Sequence, residues 1–161
     1  MKPLKPFTSV GKLLAEKNLT LAIAESCTGG LLSHMITNTP GSSAYFDSAV
    51  ICYSQEAKVR LLGLSEKLIS KYGTVSPETA KAMASAVKKL RNVKIGLAVT
   101  GIAGPDAQEN KPVGLVYIAL SYGKQAYAGE FRFKGKREEI KKQAAKAAIK
   151  LLWKSLRIFN S

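Results

Sequence analysis

Histidine is almost absent from this chain: among 161 residues only His34 carries an imidazole, which argues against a metal site built from several histidines and leaves little room for a histidine-based catalytic triad. His34 itself falls in an apolar helical run and reads as a packed or half-exposed residue. Cysteine is nearly as scarce. Cys27 and Cys52 are the two in the chain, neither in a CxxC pair, and both read as free thiols. Long apolar runs are missing too: no stretch of eighteen uninterrupted apolar residues occurs, and Met1–Phe7 has neither the apolar core nor the small-residue cleavage site of a secretory signal. A cytoplasmic protein with no membrane role is the expectation. Internal repeats and low-complexity tracts are also lacking, and 46% apolar composition suffices for one globular domain over residues 1–161.

Acidic residues are few. Eleven Asp and Glu face 25 Lys and Arg, a formal charge of +14, which favours anionic partners. Ten of the basic residues lie between Arg132 and Arg157, against only Glu138 and Glu139. There Lys142, Lys146, Lys150 and Lys154 recur every fourth position opposite Ile140, Ala144, Ala148, Leu151 and Leu152. This pattern predicts an amphipathic helix with a solvated lysine face. Trp153 is the one aromatic residue among Lys142, Lys146, Lys150 and Lys154, short of a run of stacking platforms, so the charge distribution argues against nucleic acid and in favour of a small anionic substrate.

Periodicity and capping signals predict a first helix over 8–18, a strand over 19–24, a helix over 31–36 and a strand over 49–53. Ser54 and Gly63 bracket a third helix, Ser65 and Gly73 a short fourth, and Ser76-Pro77-Glu78 opens a fifth running to about Leu90. Strands follow over 93–99, 113–121 and 125–133, then a final helix over 136–156. Asp106–Lys111 reads as a mobile polar loop. The order predicts an α/β fold: a mixed β-sheet flanked by helices in a three-layer α/β/α sandwich.

Two glycine-bearing turns stand out, each directly after a buried strand: Ala24-Glu25-Ser26-Cys27-Thr28-Gly29-Gly30 and Thr100-Gly101-Ile102-Ala103-Gly104-Pro105. Such turns let backbone N–H groups approach a phosphate or carboxylate, and two of them suggest one shared pocket. Glu25 reads as a structural carboxylate bonded to local amides. A serine nucleophile needs a proton acceptor. Here the best candidate is Lys58, made neutral by burial or neighbouring charge, with Tyr53 five residues earlier to relay a proton or hold the amine. Ser42 and Ser43, after the Pro40-Gly41 break, complete the constellation, and Ser26 and Thr28 join it if the first two strands are neighbours.

With these motifs in view, the chain resembles the CinA C-terminal family from about Val10 to Leu152. The resemblance rests on Ala24–Gly30, Pro40-Gly41-Ser42-Ser43, Tyr53-Ser54-Gln55-Glu56-Ala57-Lys58, Val99–Pro105 and Lys111-Pro112-Val113-Gly114. Phe133-Lys134-Gly135-Lys136-Arg137-Glu138 followed by Gln143-Ala144-Ala145 also fits. Asp106-Ala107-Gln108 stands where members commonly have a glycine-rich run, and Gln55 where Asn is frequent. The resemblance implies hydrolysis of the carboxamide of nicotinamide mononucleotide to nicotinate mononucleotide and ammonia, with no metal or organic cofactor, and often a homodimer. On that reading Ser43 is the expected nucleophile with Ser26 its rival, Lys58 the general base and Tyr53 the relay. Ser42 and the turn Ser26, Thr28, Gly29 and Gly30 would bind substrate, the turn taking its phosphate. Thr100, Gly101 and Gly104 would line the pocket, and Arg137 would neutralise phosphate. The alternative is a non-catalytic nucleotide- or partner-binding module of the same fold.

Overall fold

A computed structural model describes residues 6–159; the outermost residues of the expected 1–161 domain, including most of the Met1–Phe7 segment, lie outside the described residues. Five strands form one sheet: β1 (Leu21–Glu25), β2 (Phe46–Ile51), β3 (Ile95–Gly101), β4 (Leu115–Tyr122) and β5 (Gln125–Arg132), in the order β2-β1-β3-β4-β5. Strand β1 pairs in parallel with β2 and β3, while β3, β4 and β5 run antiparallel. The helices are α1 (Pro6–Glu16), α2 (Leu31–Thr37), α3 (Gln55–Leu62), α4 (Glu66–Tyr72), α5 (Pro77–Arg91) and α6 (Arg137–Leu156), with a single 3₁₀ turn at Ser42–Ala44.

Alternation along the central strands sorts the two faces. Leu21 and Ile23 of β1 and Ile95, Leu97 and Val99 of β3 point into a core shared with Val10 and Leu14 of α1, Leu32 and Ile36 of α2, and Ile140, Ala144 and Leu152 of α6. The residues between them, Ala22, Ala24 and Ala98, meet Ala80, Met83, Ala84 and Val87 of α5 and Leu62 and Ile69 of α3 and α4. Small side chains on this second face let α5 lie close to the sheet. A Cβ added at Gly96 would fall 1.9 Å from the Ala84 carbonyl oxygen, so the helix backbone occupies the space a side chain would need. The result is the mixed three-layer α/β/α sandwich.

Caps delimit the second-face helices where the sequence placed them. The hydroxyls of Ser54, Ser65 and Ser76 accept hydrogen bonds from the amides of Ala57, Leu68 and Thr79, satisfying donors that each first turn would otherwise leave unpaired. Strand β2 starts three residues earlier than the β-branched run suggested, at Phe46, because Phe46 and Ser48 pair with Leu21 and Ala22 of β1, with Asp47 passed over at a register shift between them. The lysine face of α6 is solvated: Lys142, Lys146, Lys150 and Lys154 are all exposed.

One expectation is corrected in the loops. Residues 106–111 form a pinned turn rather than a free loop. Gln108 and Lys111 pair across Glu109 and Asn110, which adopt φ of 52° and 55°, the backbone of a two-residue hairpin turn. The Glu109 carboxylate accepts from Thr74 N at 2.8 Å, from Val75 N at 3.3 Å and from the Thr74 hydroxyl, while Lys111 Nζ donates to the carbonyls of Tyr72 and Val75 at 3.2 and 2.7 Å. Burial pushes the Glu109 carboxyl up, but these donors outweigh it and hold it at about 2.

Candidate active site

In an open α/β sheet, ligands lie outside the carboxyl ends of the strands where the chain turns to opposite sides. Here that point is between β1 and β3, whose neighbouring connections leave through α2 on one face and arrive through α5 on the other. The two glycine-bearing turns meet there. Ser26 N donates to Val99 O at 3.0 Å, tying the end of β1 to the end of β3, and Ser26 and Cys27 share a recess with Gly101, Gly104, Thr74 and Arg137.

The first turn is organised from within by Glu25. Its side chain is fully buried and accepts from Thr28 Oγ1 at 2.6 Å, Gly30 N at 2.9 Å, Leu32 N at 3.1 Å and Ser33 N at 2.8 Å. The turn therefore carries its own anion, and the donors that open α2 are already used. Thr28, Gly29 and Gly30, the residues expected to take phosphate, spend these donors within the turn. The Thr28 hydroxyl and the Gly30 amide serve Glu25, and Gly29 N donates to Ser26 O at 3.1 Å.

Lys58 reaches the recess from below. Ser54 caps α3, and the first turn so fixed turns Lys58 inward, where it is 1% exposed. Its Nζ lies 3.0 Å from Ser26 Oγ, 3.0 Å from Cys52 O and 3.2 Å from Tyr53 O. Burial lowers the lysine pKa; the Cys52 and Cys27 thiols and Glu109 pull weakly the other way. The thiols themselves are pushed up by burial, Cys27 to about 12, and remain two separate, buried cysteines.

Nζ donates to all three oxygens, two carbonyls and the Ser26 hydroxyl. Carbonyl oxygens only accept, so an amine that has lost one proton keeps its two hydrogens for them and turns its lone pair to the Ser26 hydroxyl, the one partner that owns a proton.

Ser43 does not join them. It sits exposed in the 3₁₀ turn that leads into β2, whereas Lys58 follows the far end of that strand. Six residues of β2 separate the two ends by roughly 20 Å, so the expected Ser43–Lys58 pairing, and Ser42 with it, is corrected to Ser26–Lys58. Tyr53 is at the recess mouth, but its hydroxyl accepts from Arg137 Nη2 at 2.5 Å rather than contacting Lys58. Arg137 also donates through Nη1 to Gly104 O, joining α6 to the second turn. Thr100, expected in the lining, stands fully buried behind it and donates to Thr74 O at 2.8 Å. Glu109 and Lys111, which brace the wall at Thr74 and Val75, were missed; the turn-forming Glu109-Asn110 pair was the available signal.

The model of the CinA C-terminal domain family matches residues 5–156. The chain belongs to this family. A CinA-like protein from Geobacter sulfurreducens is 45% identical over 150 residues, covering 92% of this chain and 36% of the relative. A competence-damage inducible protein from Moorella thermoacetica is 50% identical over 148 residues, covering 91% and 36%. The chain thus spans about a third of the length of these curated relatives. Among solved structures, a CinA superfamily protein from Klebsiella pneumoniae superposes with a TM-score of 0.93 at 29% identity, covering 96% of this chain and 97% of that one. A competence/damage inducible protein from Agrobacterium tumefaciens does so at 0.85 and 31%, covering 98% of both. In this CinA C-terminal domain no group of three or more His, Cys, Asp or Glu able to hold a metal occurs among the described residues, and no described helix is long and apolar enough to cross a membrane.

Proposed function

We propose that this chain is an amidohydrolase that converts the carboxamide of nicotinamide mononucleotide to the carboxylate, releasing ammonia. The observation that carries the reading is the buried Lys58 Nζ, 3.0 Å from Ser26 Oγ and otherwise bonded only to carbonyls. Ser26 is the nucleophile and Lys58 the general base. As Ser26 Oγ attacks the amide carbon, its proton passes to Lys58, and the developing oxyanion is met by main-chain N–H groups on the recess wall, that of Cys27 among them. Collapse of the tetrahedral intermediate breaks the C–N bond, and the Lys58 ammonium returns the proton to the departing nitrogen, which leaves as ammonia. Water then attacks the acyl-serine with Lys58 again as base, releasing the carboxylic acid and restoring Ser26.

The size of the recess supports a small reacting group: its interior of about 70 Å³ admits a carboxamide while the rest of a nucleotide lies outside. Tyr53 and Arg137, at the mouth, are placed to contact the ring or sugar. Dimerisation and a cytoplasmic setting accompany this reading.

The deciding assay incubates the purified protein with nicotinamide mononucleotide, nicotinamide riboside and free nicotinamide and measures ammonia. Release from the mononucleotide is expected. No ammonia from any pyridine carboxamide, with the fold intact by circular dichroism, would return the chain to the class of binding modules.

A further inference from the structure

A second depression adjoins the recess across the first turn. It is an open groove of about 480 Å³ between that turn and α6, bordered by Gly29, Gly30, His34, Glu138, Lys141 and Lys142. The two share both walls: Ser26 and Cys27 face the recess and Thr28–Gly30 the groove, while Arg137 faces the recess and Lys141, one helical turn on, faces the groove. A molecule with its reacting end in the recess has this groove as a neighbouring place for its other end.

The groove carries unpaired positive charge. Lys141 Nζ lies 3.7 Å from where a Cβ on Gly29 would stand, so the absence of a side chain there gives the ammonium room against the turn. Among the described residues neither Lys141 nor Lys142 makes a hydrogen bond or ion pair, although Glu138 lies four residues before Lys142 on the same helix. These lysines differ from Lys146, Lys150 and Lys154, which continue the solvated face beyond the groove. The usual source of anion affinity at such a turn is spent, because Glu25 takes the amides of Gly30, Leu32 and Ser33. Positive potential in the groove therefore comes from side chains.

We infer that Lys141 and Lys142 form the subsite for the phosphate monoester of the substrate, and that they set the preference for the nucleotide over its nucleoside. The inference rests on the recess being the carboxamide site. It replaces the turn amides as the source of phosphate recognition, and it leaves Arg137 to Tyr53 and Gly104.

The test compares Lys141→Gln/Lys142→Gln with the charge-matched control Lys150→Gln/Lys154→Gln. Charge-assisted contacts of this kind are worth roughly tenfold or more each. The first variant should lose about a hundredfold of its kcat/KM for nicotinamide mononucleotide relative to nicotinamide riboside, and the control should keep the wild-type ratio. Inorganic phosphate, titrated into the ligand-free proteins and followed by nuclear magnetic resonance, should perturb Lys141 and Lys142 in the wild type and bind detectably more weakly to the first variant only. An unchanged preference, or phosphate affinity lost equally in both variants, would overturn the assignment. Should the wild type release no ammonia from either substrate, the catalytic reading fails by itself, and the phosphate titration still decides the groove.

Discussion

Ser26 and Ser43 begin as equals: both stand beside glycine breaks, both neighbour a strand of the parallel part of the sheet, and both carry a hydroxyl that an amine could activate. Strand direction separates them. Ser26 leaves the carboxyl end of β1, while Ser43 enters the amino end of β2. Because β1, β2 and β3 run in parallel, their carboxyl ends, and the turns following them, gather on one rim. Lys58 follows β2 on that rim, so it meets Ser26. The lesson is that in such a sheet the residue after a strand outranks an equally suitable residue before one.

Substituting each serine in turn separates their roles. Ser26→Ala should lower kcat by at least ~10³-fold with KM nearly unchanged, the signature of an interaction made only on the way to the transition state. Ser43→Ala, exposed at the opposite rim, should stay within about twofold of wild type. Steady-state ammonia release measures both, and a dead Ser43→Ala beside an active Ser26→Ala would reverse the assignment.

The role of Lys58 is read from the pH dependence. Since burial lowers its pKa from the ordinary 10.5 and the base must be neutral, kcat/KM should rise with pH and level off below that value. Lys58→Arg should abolish turnover by about 10³-fold or more and lose the ascending limb, because guanidinium stays protonated at every accessible pH. A pH–rate profile of the arginine variant that matched wild type would make the lysine structural.

The smallest effects contrast the two carboxylates that build the rim. Glu25 is wholly buried with four donors, so Glu25→Gln turns an amide N–H₂ toward N–H groups and should cost about 2–4 kcal/mol in denaturant unfolding. Glu109 is partly solvated, and Glu109→Gln should cost about 1 kcal/mol once screening is allowed for. Its pKa is depressed from 4.5 to about 2, so its contribution is complete above pH 4.5 and fades as the pH falls toward 2. The variant should flatten the acid limb of stability in that window. Equal losses for the two variants would mean that burial does not rank them.

Much of this was legible from local chemistry. Serine caps followed by acidic residues, glycines closing helices and the alternation of β1 and β3 are decided within a few residues, which is why α3, α4 and α5 begin and end where their caps predict. Glu25 was read as the carboxylate that serves the local amides, since its partners all lie within eight residues of it. Lys58 and Tyr53 were legible as candidates because an otherwise histidine-poor chain leaves few bases for a serine.

What the linear chain could not decide was juxtaposition. Ser26 and Lys58 are 32 residues apart, Tyr53 and Arg137 84 apart, and their meeting depends on which strands pair and in which direction. Spacing along the chain carries neither fact. The same is true of Glu109, whose partners Thr74 and Val75 lie on the far side of α5 and β3 in sequence, and of Thr100, where the alternation of β3 shows two faces but not that Thr74 seals one of them. Local periodicity and capping determined the elements of this protein; the order β2-β1-β3, with three parallel carboxyl ends on one rim, determined which serine the buried lysine can reach.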